Sequence, residues 1–398
     1  MALKFTLLFL PLLAHIVNAQ QPATFDIRKY GGKPSANIDQ ALSSAWKEAC
    51  AATTPSTVVV PKGTFLLNQV TLVGPCKAPI ELQVQGTIKA PSDYTLLPDK
   101  NGDWITINYV DHLTISGGGV IDGQGREAWT KNDCGKNPKC VKLPMNLCLN
   151  FITNSIIRDV TTQDSKNFHV NVIGCKNLTF QHFTVSAPAD SINTDGIHIA
   201  KSEGVYVLDS VIKTGDDCIS VGDGMKELHI ERVTCGPGHG ISVGSLGKCA
   251  TEEDVTGIYV KNCTFIGTEN GIRVKTWPSA PAKLQITDLH YEDIIMDNVN
   301  NPIVIDQEYC PWNLCKLDSP SLIKISKMTV KNIKGTSATP VAVSFVCSKA
   351  VPCDVEVEDV DLAYSGNQGP ITTKCTNIKP TFVGKQNPPI CANAAQSS

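Results

Sequence analysis

This sequence of 398 residues has no strong net charge, and beyond its first 19 residues it has no long apolar run. Beyond Ala19 no stretch approaches the ~18 consecutive apolar residues of a transmembrane helix, which argues against a membrane-spanning protein. The formal net charge is only −3 at pH 7, so the chain as a whole does not attract nucleic acid or a membrane surface. We therefore expect neither as a partner, and local groups must hold any charged ligand.

Two motif classes are also missing. The 16 cysteines include no paired C-x-x-C units with the histidine spacing of zinc sites. The segment "GSLGKC" (244–249) lacks the G-x-x-x-x-G-K-[ST] spacing of a phosphate-binding loop. We predict no metal and no cofactor. So many cysteines suit an oxidising compartment, where thiols can pair.

The first 19 residues have a composition of their own. Met1 to Ala19 contains one lysine, then the apolar run "FTLLFLPLLAHIV", and ends in "VNA", which predicts a secretory signal peptide cleaved after Ala19. We expect residues 20–398 to form a single exported domain. Asn177 in "NLT" and Asn262 in "NCT" are candidate glycosylation sites, which agrees with secretion.

Helical periodicity is scarce, whereas short β-branched segments recur from about residue 105 in units of roughly twenty to thirty residues. One exception is Asn37 to Thr53, in which Ile38, Leu42, Trp46 and Ala49 repeat at helical spacing. The pattern predicts an all-β parallel solenoid. A short N-terminal capping helix would cover the exposed end of the repeat array.

Four repeat units share one order of residues: polar, small, isoleucine, variable and aliphatic. They begin at Asp195, Asp217, His239 and Asn270, and the first three starts are 22 residues apart. If each unit is one coil, equivalent positions stack into ladders about 4.8 Å apart. The alternation predicts an inward ladder of Ile197, Ile219, Ile241 and Ile272, and an outward face with His198, Ser220, Ser242, Arg273 and Lys275.

The outward polar groups indicate acid–base chemistry. Asp195, Asp217 and His239 share one ladder position, Asp216 adjoins Asp217, and small residues follow each of the three. For any single repeat unit, the alternative interpretation is that its aspartate and glycine only form the turn between two strands. Hydrolysis of a glycosidic bond needs one protonated carboxyl and one carboxylate, and crowded carboxyls keep one proton to higher pH. Cations nearby suit a substrate that bears carboxylates.

The motifs resemble those of the polygalacturonases, the pectin-degrading glycoside hydrolases. Four signature segments occur in order: "NTDGIHI" (193–199), "GDDCIS" (215–220), "GPGHGIS" (236–242) and "RVK" (273–275). The resemblance implies a right-handed parallel β-helix, no cofactor, and inversion at the anomeric carbon. Inversion rests on the resemblance alone, because one rung places Asp195 and Asp217 about 5 Å apart whereas inverting pairs are usually roughly 6.5–9.5 Å apart.

The same resemblance assigns roles to individual residues. Asp216 would be the general acid, Asp195 and Asp217 the pair that positions and deprotonates water, and His239 the group that sustains the protonation of the acid. The substrate-binding set would be Arg273, Lys275, Asn193 and Tyr309. Tyr309, in "DQEYC", resembles a substrate-contacting tyrosine, and the alternative is a buried aromatic residue beside Cys310.

The C-terminal third resembles the plant exo-acting, pollen-type enzymes of this family, through "YCPWNLC" (309–315), "GTSATPVAVSFVC" (335–347) and "VPCDVEVEDVDLAYSG" (351–366). We therefore expect a monomer, secreted to the plant cell wall, that binds polygalacturonate and releases single galacturonic acid units from the non-reducing end of de-esterified pectin. Three alternatives stay open. They are an endo-acting enzyme, a calcium-dependent pectate lyase, and a non-catalytic wall-binding or allergenic protein.

The cysteine pairing is only partly predicted. The resemblance pairs Cys218 with Cys235, which would tether the turn after Asp217 to the turn before His239. Proximity along the chain suggests Cys347 with Cys353 and Cys375 with Cys391. The remaining connectivity is open at this point.

Overall fold

The chain folds as stacked coils of short strands joined by turns. A computed structural model describes residues 22–391 except 101, 135, 138, 312, 314 and 379. The predicted signal peptide, residues 1–19, lies outside the described residues. Successive strands pair in parallel, each with the strand one coil later. The described part of the chain therefore has the architecture of a parallel solenoid.

The smaller of its two sheets, sheet 1, has eleven strands in chain order, which matters because the candidate site lies along it. These strands are Val70–Val73, Ile105–Asn108, Leu147–Asn150, Val170–Ile173, Ile197–Ala200, Ile219–Val221, Ile241–Leu246, Asn270–Thr276, Asn301–Asp306, Val341–Val346 and Thr372–Thr376.

The larger sheet, sheet 2, has 21 strands in two rows that merge towards the C-terminus. The first row is Ala23–Asp26, Ser56–Val60, Ile80–Val84, Leu113–Ser116, Thr153–Arg158, Lys176–Gln181, Glu203–Leu208, Lys226–Glu231 and Val255–Lys261. The second row is Thr64–Leu66, Thr87–Lys89, Val120–Asp122, Thr161–Gln163, Thr184–Ser186, Val211–Lys213, Thr234–Cys235 and Thr264–Ile266. The merged strands are Gln285–Val299, Lys324–Ser337, Val355–Tyr364 and Thr381–Asn387.

The core consists of aliphatic ladders between the sheets. Ile197, Ile219, Ile241 and Ile272 are register partners on successive strands of sheet 1, and all four are fully buried. The predicted inward ladder is therefore confirmed. The outward partners His198, Ser220, Ser242 and Arg273 are also in register. Parallel pairing thus brings side chains from distant segments into one row.

An α-helix covers the N-terminal end of the solenoid. It spans Asp39–Ala51, inside the predicted range, and buries Leu42, Trp46 and Ala49 against the first strands. The other helical segments are the 3₁₀ turns Ile27–Tyr30 and Tyr94–Leu96 and the short α-helix Arg126–Lys131, which the sequence pattern did not predict. Among the described residues, no helix has the length and apolar character required to cross a bilayer.

Six disulfides lie within the described part of the chain. They are Cys50–Cys76, Cys134–Cys140, Cys218–Cys235, Cys310–Cys315, Cys347–Cys353 and Cys375–Cys391. The structure thus contains the three pairs expected from the sequence. Cys50–Cys76 joins the end of the capping helix to the segment after Val70–Val73, a link that sequence reasoning missed.

The candidate glycosylation sites are both exposed, Asn177 near the start of the strand Lys176–Gln181 and Asn262 in the bend after Val255–Lys261. Asn177 and Asn262 have exposed side chains and φ angles of 51° and 53°. Asparagine tolerates this left-handed conformation better than most residues do. Both side chains are exposed, the Asn177 amide donates to Asn154 Oδ1 at 3.0 Å, and the modification of both sites stays a prediction.

Candidate active site

A groove of about 670 Å³ lies at the edge of sheet 1 where its central strands begin. It is lined by most of the residues that the sequence singled out, namely Asn193, Asp195, Asp216, Asp217, His239, Lys275 and Tyr309. These side chains come from segments as far apart as residues 193 and 309. The coil repeat brings Asp195, Asp217 and His239 together because each lies two residues before a strand of sheet 1. Lys275 lies within the strand Asn270–Thr276, and Tyr309 follows the next strand.

Glycines surround His239 because neighbouring backbones approach closely there. A Cβ at Gly240 would lie 2.2 Å from the carbonyl oxygen of Asn270, and its φ of 86° is in the left-handed region. A Cβ at Gly238 would lie 3.0 Å from the carbonyl oxygen of Asp216. The backbone N–H of His239 donates to that same carbonyl at 2.6 Å. The histidine turn is thus packed directly onto the turn that carries Asp216.

Asp217 is buried and surrounded by donors. Its Oδ1 accepts from Ser242 Oγ and from Arg273, each at 2.8 Å, and its Oδ2 accepts from Lys275 Nζ at 2.8 Å. Burial alone would raise the pKa of Asp217, but the charges of Lys275 and Arg273 outweigh it and hold that pKa well below its usual range. Asp217 is therefore an ionised carboxylate.

Asp195, in contrast to Asp217, has surroundings that favour the protonated carboxyl. It is only 6% exposed, and it lies close to both Asp216 and Asp217. Burial, followed by the negative charges of these two neighbours, raises the pKa of Asp195 well above the ordinary value. Among the crowded carboxyls, Asp195 is the one whose surroundings favour the protonated form, whereas the resemblance assigns the acid role to Asp216, and that assignment stays a prediction.

His239 bridges two acidic side chains. Its Nδ1 lies 3.1 Å from Asp216 Oδ1, and its Nε2 lies 3.1 Å from Glu269 Oε2. Burial opposes the imidazolium, but the hydrogen bond and charge of Asp216 together with the charge of Glu269 raise the pKa of His239 above its ordinary value. Sequence reasoning missed Glu269. Its signal was present, because Glu269 precedes Asn270 just as Asp216 precedes Asp217 in the aligned repeat.

The two predicted substrate-binding cations both contact Asp217 in this structure. The side chain of Arg273 is only 13% exposed and also donates from Nε to Ser242 Oγ at 3.0 Å. Lys275 lines the groove, and its Nζ lies 5.5 Å from the centre of the Tyr309 ring. Lys275 thus lies at the groove, within hydrogen-bond distance of Asp217 and beside Tyr309.

Aromatic residues and a second histidine complete the groove. Tyr309 is half-buried and packs edge-on against Trp277, with ring centres 5.5 Å apart. His198, expected only as an outward residue, lines the groove, and its Nδ1 lies 2.9 Å from Ser220 Oγ. Burial lowers the pKa of His198 to about 4, so this imidazole is neutral above that pH. Sequence reasoning did not place Trp277 at the site.

One cluster in the groove has metal-ligating atoms. Asp216, Asp217 and His239 each offer one such atom, and the three atoms lie within 4.8 Å of one another. However, both oxygens of Asp217 already accept from Lys275, Arg273 and Ser242. A divalent cation would have to compete with two positive side chains, so this donor set fits a metal poorly. That the protein needs no metal stays a prediction.

Comparison with known proteins identifies related sequences over nearly the whole chain. Residues 50–387 match the family described as Glycosyl hydrolases family 28. The chain is 56% identical to a polygalacturonase from Nicotiana tabacum, with all of both chains covered. It is 59% identical to an exopolygalacturonase from Oenothera organensis, over 89% of this chain and 98% of the relative.

The fold comparison agrees with the sheet topology. A crystal structure of an exopolygalacturonase from Thermotoga maritima superposes with a TM-score of 0.70 at 15% identity, covering 91% of each chain. Likeness at this level of identity bears on the fold alone. Together with the stacked parallel strands, it confirms the predicted right-handed parallel β-helix with a short N-terminal capping helix.

Proposed function

The chain belongs to glycosyl hydrolases family 28, and on that basis we propose that it hydrolyses α-1,4-galacturonosyl bonds of de-esterified pectin. One observation supports this most directly. A single groove holds three carboxyl groups, those of Asp195, Asp216 and Asp217, with an imidazole 3.1 Å from Asp216 and an ammonium group 2.8 Å from Asp217. Glycoside hydrolysis uses a carboxylic acid and a carboxylate, and cations bind the carboxylates of a uronic acid polymer.

In the proposed mechanism, Asp216 is the general acid. Its proton passes to the glycosidic oxygen as the bond from that oxygen to the anomeric carbon breaks. Asp217, the ionised member of the pair, accepts a proton from a water molecule that Asp195 helps to position, and the oxygen of that water bonds to the anomeric carbon. His239, held 3.1 Å from Asp216, sustains the protonation of the acid. Attack by water from the opposite face inverts the anomeric configuration.

The substrate carboxylate is held beside Asp217. Lys275 lines the groove next to Tyr309, so it contacts the galacturonate unit while also keeping Asp217 ionised. Arg273 is less exposed and acts mainly on Asp217 and Ser242. Asn193 lines the groove beside Asp216. This arrangement couples recognition of a substrate carboxylate to the ionisation of Asp217.

The enzyme is proposed to act from the non-reducing end. The relative from Oenothera organensis, 59% identical, is named exopolygalacturonase. Two short-range disulfides, Cys134–Cys140 and Cys310–Cys315, lie beside the groove, which Cys134 and Pro311 help to line.

The decisive experiment is to identify the early products from long polygalacturonate. Exo action predicts monomeric galacturonate from the first time points with little loss of viscosity. A ladder of oligomers with rapid viscosity loss would show endo action instead. Unsaturated products that absorb in the ultraviolet and vanish with chelator would show a lyase, and no reducing-sugar release between about pH 3 and 7 would show a binding protein.

The matched control for that experiment is Asp216→Asn, which keeps the shape of the side chain but cannot donate a carboxylic proton. We expect kcat to fall by at least about a hundredfold with little change in KM. A folded and fully active variant would contradict the assignment of the acid.

Secretion to the plant cell wall is proposed from residues 1–19. Protein recovered from the medium of expressing plant cells should begin at Gln20. Retention inside the cells with an intact N-terminus would contradict this.

A further inference from the structure

A line of hydrogen bonds leads from a surface loop to Asp216. The loop follows the helix Arg126–Lys131. The backbone N–H of Cys134 donates to Asn132 Oδ1 at 2.9 Å, and Asn132 Nδ2 donates to Asn193 Oδ1 at 3.3 Å. Asn193 Nδ2 in turn donates to Asp216 Oδ2 at 3.4 Å. Asn132 belongs to none of the four sequence motifs, and the mechanism above does not use it.

The order of donors and acceptors along these hydrogen bonds is fixed at the loop end. A backbone N–H can only donate, so Asn132 must turn its oxygen towards Cys134 and its NH₂ group towards Asn193. Asn193 must then accept with its oxygen, which leaves its NH₂ group facing Asp216. Turning either amide over would place donor against donor or acceptor against acceptor, and would lose hydrogen bonds at half-buried atoms.

The orientation of the Asn193 amide matters for an acid catalyst. An N–H group directed at a carboxyl stabilises the ionised form, whereas a carbonyl oxygen in the same place stabilises the protonated form. In the observed orientation Asn193 presents its N–H group, and not its carbonyl oxygen, to Asp216 Oδ2. The bonds of 3.3 and 3.4 Å are long, as catalytic hydrogen bonds often are before substrate binds.

We propose that Asn132 is a positioning residue, which holds the Asn193 amide with its donor towards Asp216 and thereby sets how readily this acid gives up its proton. The inference rests on the proposed function, in which Asp216 is the general acid. Because the fixed donor is the backbone N–H of Cys134, the start of this loop sets the orientation of both amides.

Other charged groups also act on Asp216, and the test must leave them unchanged. These groups are Asp217 on the same turn, Asp195 from the preceding coil, His239 from the following coil, and Arg273 and Tyr309 beyond it. On the loop side, Asp133 adjoins Asn132, and Lys131 pairs with Glu127 at 2.7 Å. A substitution at Asn132 alters none of these side chains.

The test is the pH dependence of kcat in the full-length enzyme carrying Asn132→Asp. The new carboxylate still accepts from Cys134 but cannot donate to Asn193, so the Asn193 amide turns over and presents its oxygen to Asp216. We expect the alkaline limb of the profile to move about 0.5–1 pH unit higher, because a hydrogen bond to a charged group is lost and one to the protonated acid is gained. We also expect kcat at the optimum to fall.

Two further variants make the result decisive. Lys136→Gln changes the charge of the same loop by an equal amount at an exposed side chain, and should leave the limb in place. Asn132→Ala removes the donor without a charge, and should move the limb in the same direction by less. Because it is uncharged, it also keeps the test decisive if Asn132→Asp does not fold.

If the alkaline limb moved equally in Asn132→Asp and Lys136→Gln, the charge of the loop alone would explain the shift and the inference would be overturned. Unchanged limbs in both Asn132 variants of an active enzyme would overturn it as well. If the wild type itself releases no galacturonate, the proposed function fails and the inference falls with it.

Discussion

At the scale of single residues, the buried carboxyl of Asp195 lowers the stability of the fold as pH rises. Its pKa is raised by burial and by Asp216 and Asp217, so the folded protein keeps a proton that the unfolded chain releases near pH 4. The contribution of protonated Asp195 to the unfolding free energy is fully present below the unfolded-state pKa, and it is lost as the pH rises through the folded-state pKa. Active sites often carry such a cost.

We therefore predict that Asp195→Asn raises the thermal unfolding temperature relative to wild type, by an amount that grows between about pH 4 and pH 7. Asparagine fills the same space and never ionises, so the loss on raising the pH is removed. Asp190→Asn is the matched control, because Asp190 lines the same groove but is exposed. Thermal unfolding at both pH values checks this. An equal gain at both would contradict it.

Lys275 is predicted to control the acid side of the activity profile. Lys275→Met keeps the aliphatic stem but removes the ammonium group 2.8 Å from Asp217 Oδ2, so the pKa of Asp217 rises. Because the ionised carboxylate is the active form, the acid limb of kcat/KM should move to higher pH. The lost charge-assisted contacts should lower kcat/KM by about 10- to 150-fold, the equivalent of about 1.5–3 kcal/mol.

The control for Lys275 is Lys248→Met. Lys248 also lines the groove, but its Nζ lies over the Trp277 ring at 5.3 Å. Its removal should leave the acid limb in place. If both variants shift the limb equally, the effect would come from the net charge of the groove and not from the bond to Asp217.

The repeat explains why several site residues could be predicted from the sequence, whereas the partners they contact could not. The position of Asp195, Asp217 and His239 at one edge follows from the coil period alone. That Arg273 and Lys275 reach back to Asp217 depends on side-chain length and burial across two coils. Pairing between Asn132 and Asn193 depends on a loop with no repeat at all.

At the scale of structural elements, two disulfides of nearly equal loop length allow a matched comparison. Cys218–Cys235 spans 17 residues and Cys375–Cys391 spans 16. Replacing both cysteines of either pair by alanine should lower the unfolding free energy of the protein by about 3 kcal/mol, if restriction of the unfolded chain dominates.

The two alanine pairs should differ in catalysis. Cys218 follows Asp217 directly and Cys235 is the last strand residue before the turn that carries His239, so we expect only the first pair of substitutions to lower kcat. Denaturant unfolding and kinetics of both variants provide the check. Equal effects on kcat would show that this bridge does not position the catalytic turns.

At the scale of the whole molecule, the repeat period was the property most visible in the sequence. Short β-branched segments at a regular spacing leave few folds other than a solenoid, because each coil can bury its apolar face only against its neighbours. Features outside the period were missed for the same reason. The Cys50–Cys76 link, the helix Arg126–Lys131 and the long strand Gln285–Val299 all depend on contacts that have no counterpart in the other coils.

A solenoid has no single centre, so damage at one end should remain local. Trp46 is the largest buried side chain of the capping helix, and its Nε1 donates to the carbonyl oxygen of Val73 at 3.3 Å. We predict that Trp46→Ala costs about 3–5 kcal/mol of local stability at the N-terminal coils. Hydrogen exchange should show lost protection in Ser56–Val60 and Ile80–Val84, with protection in Ile219–Val221 kept.

Catalysis should distinguish this local loss from global unfolding. The groove lies several coils away from the capping helix, so kcat of Trp46→Ala at 25 °C should stay near the wild-type value. Phe382→Ala is the matched control at the opposite end, where the ring is 43% exposed on the last strand and its loss should change protection little. Uniform loss of protection in Trp46→Ala, reaching Ile219–Val221, would show instead that the coils unfold as one cooperative unit and that the capping helix stabilises the active site itself.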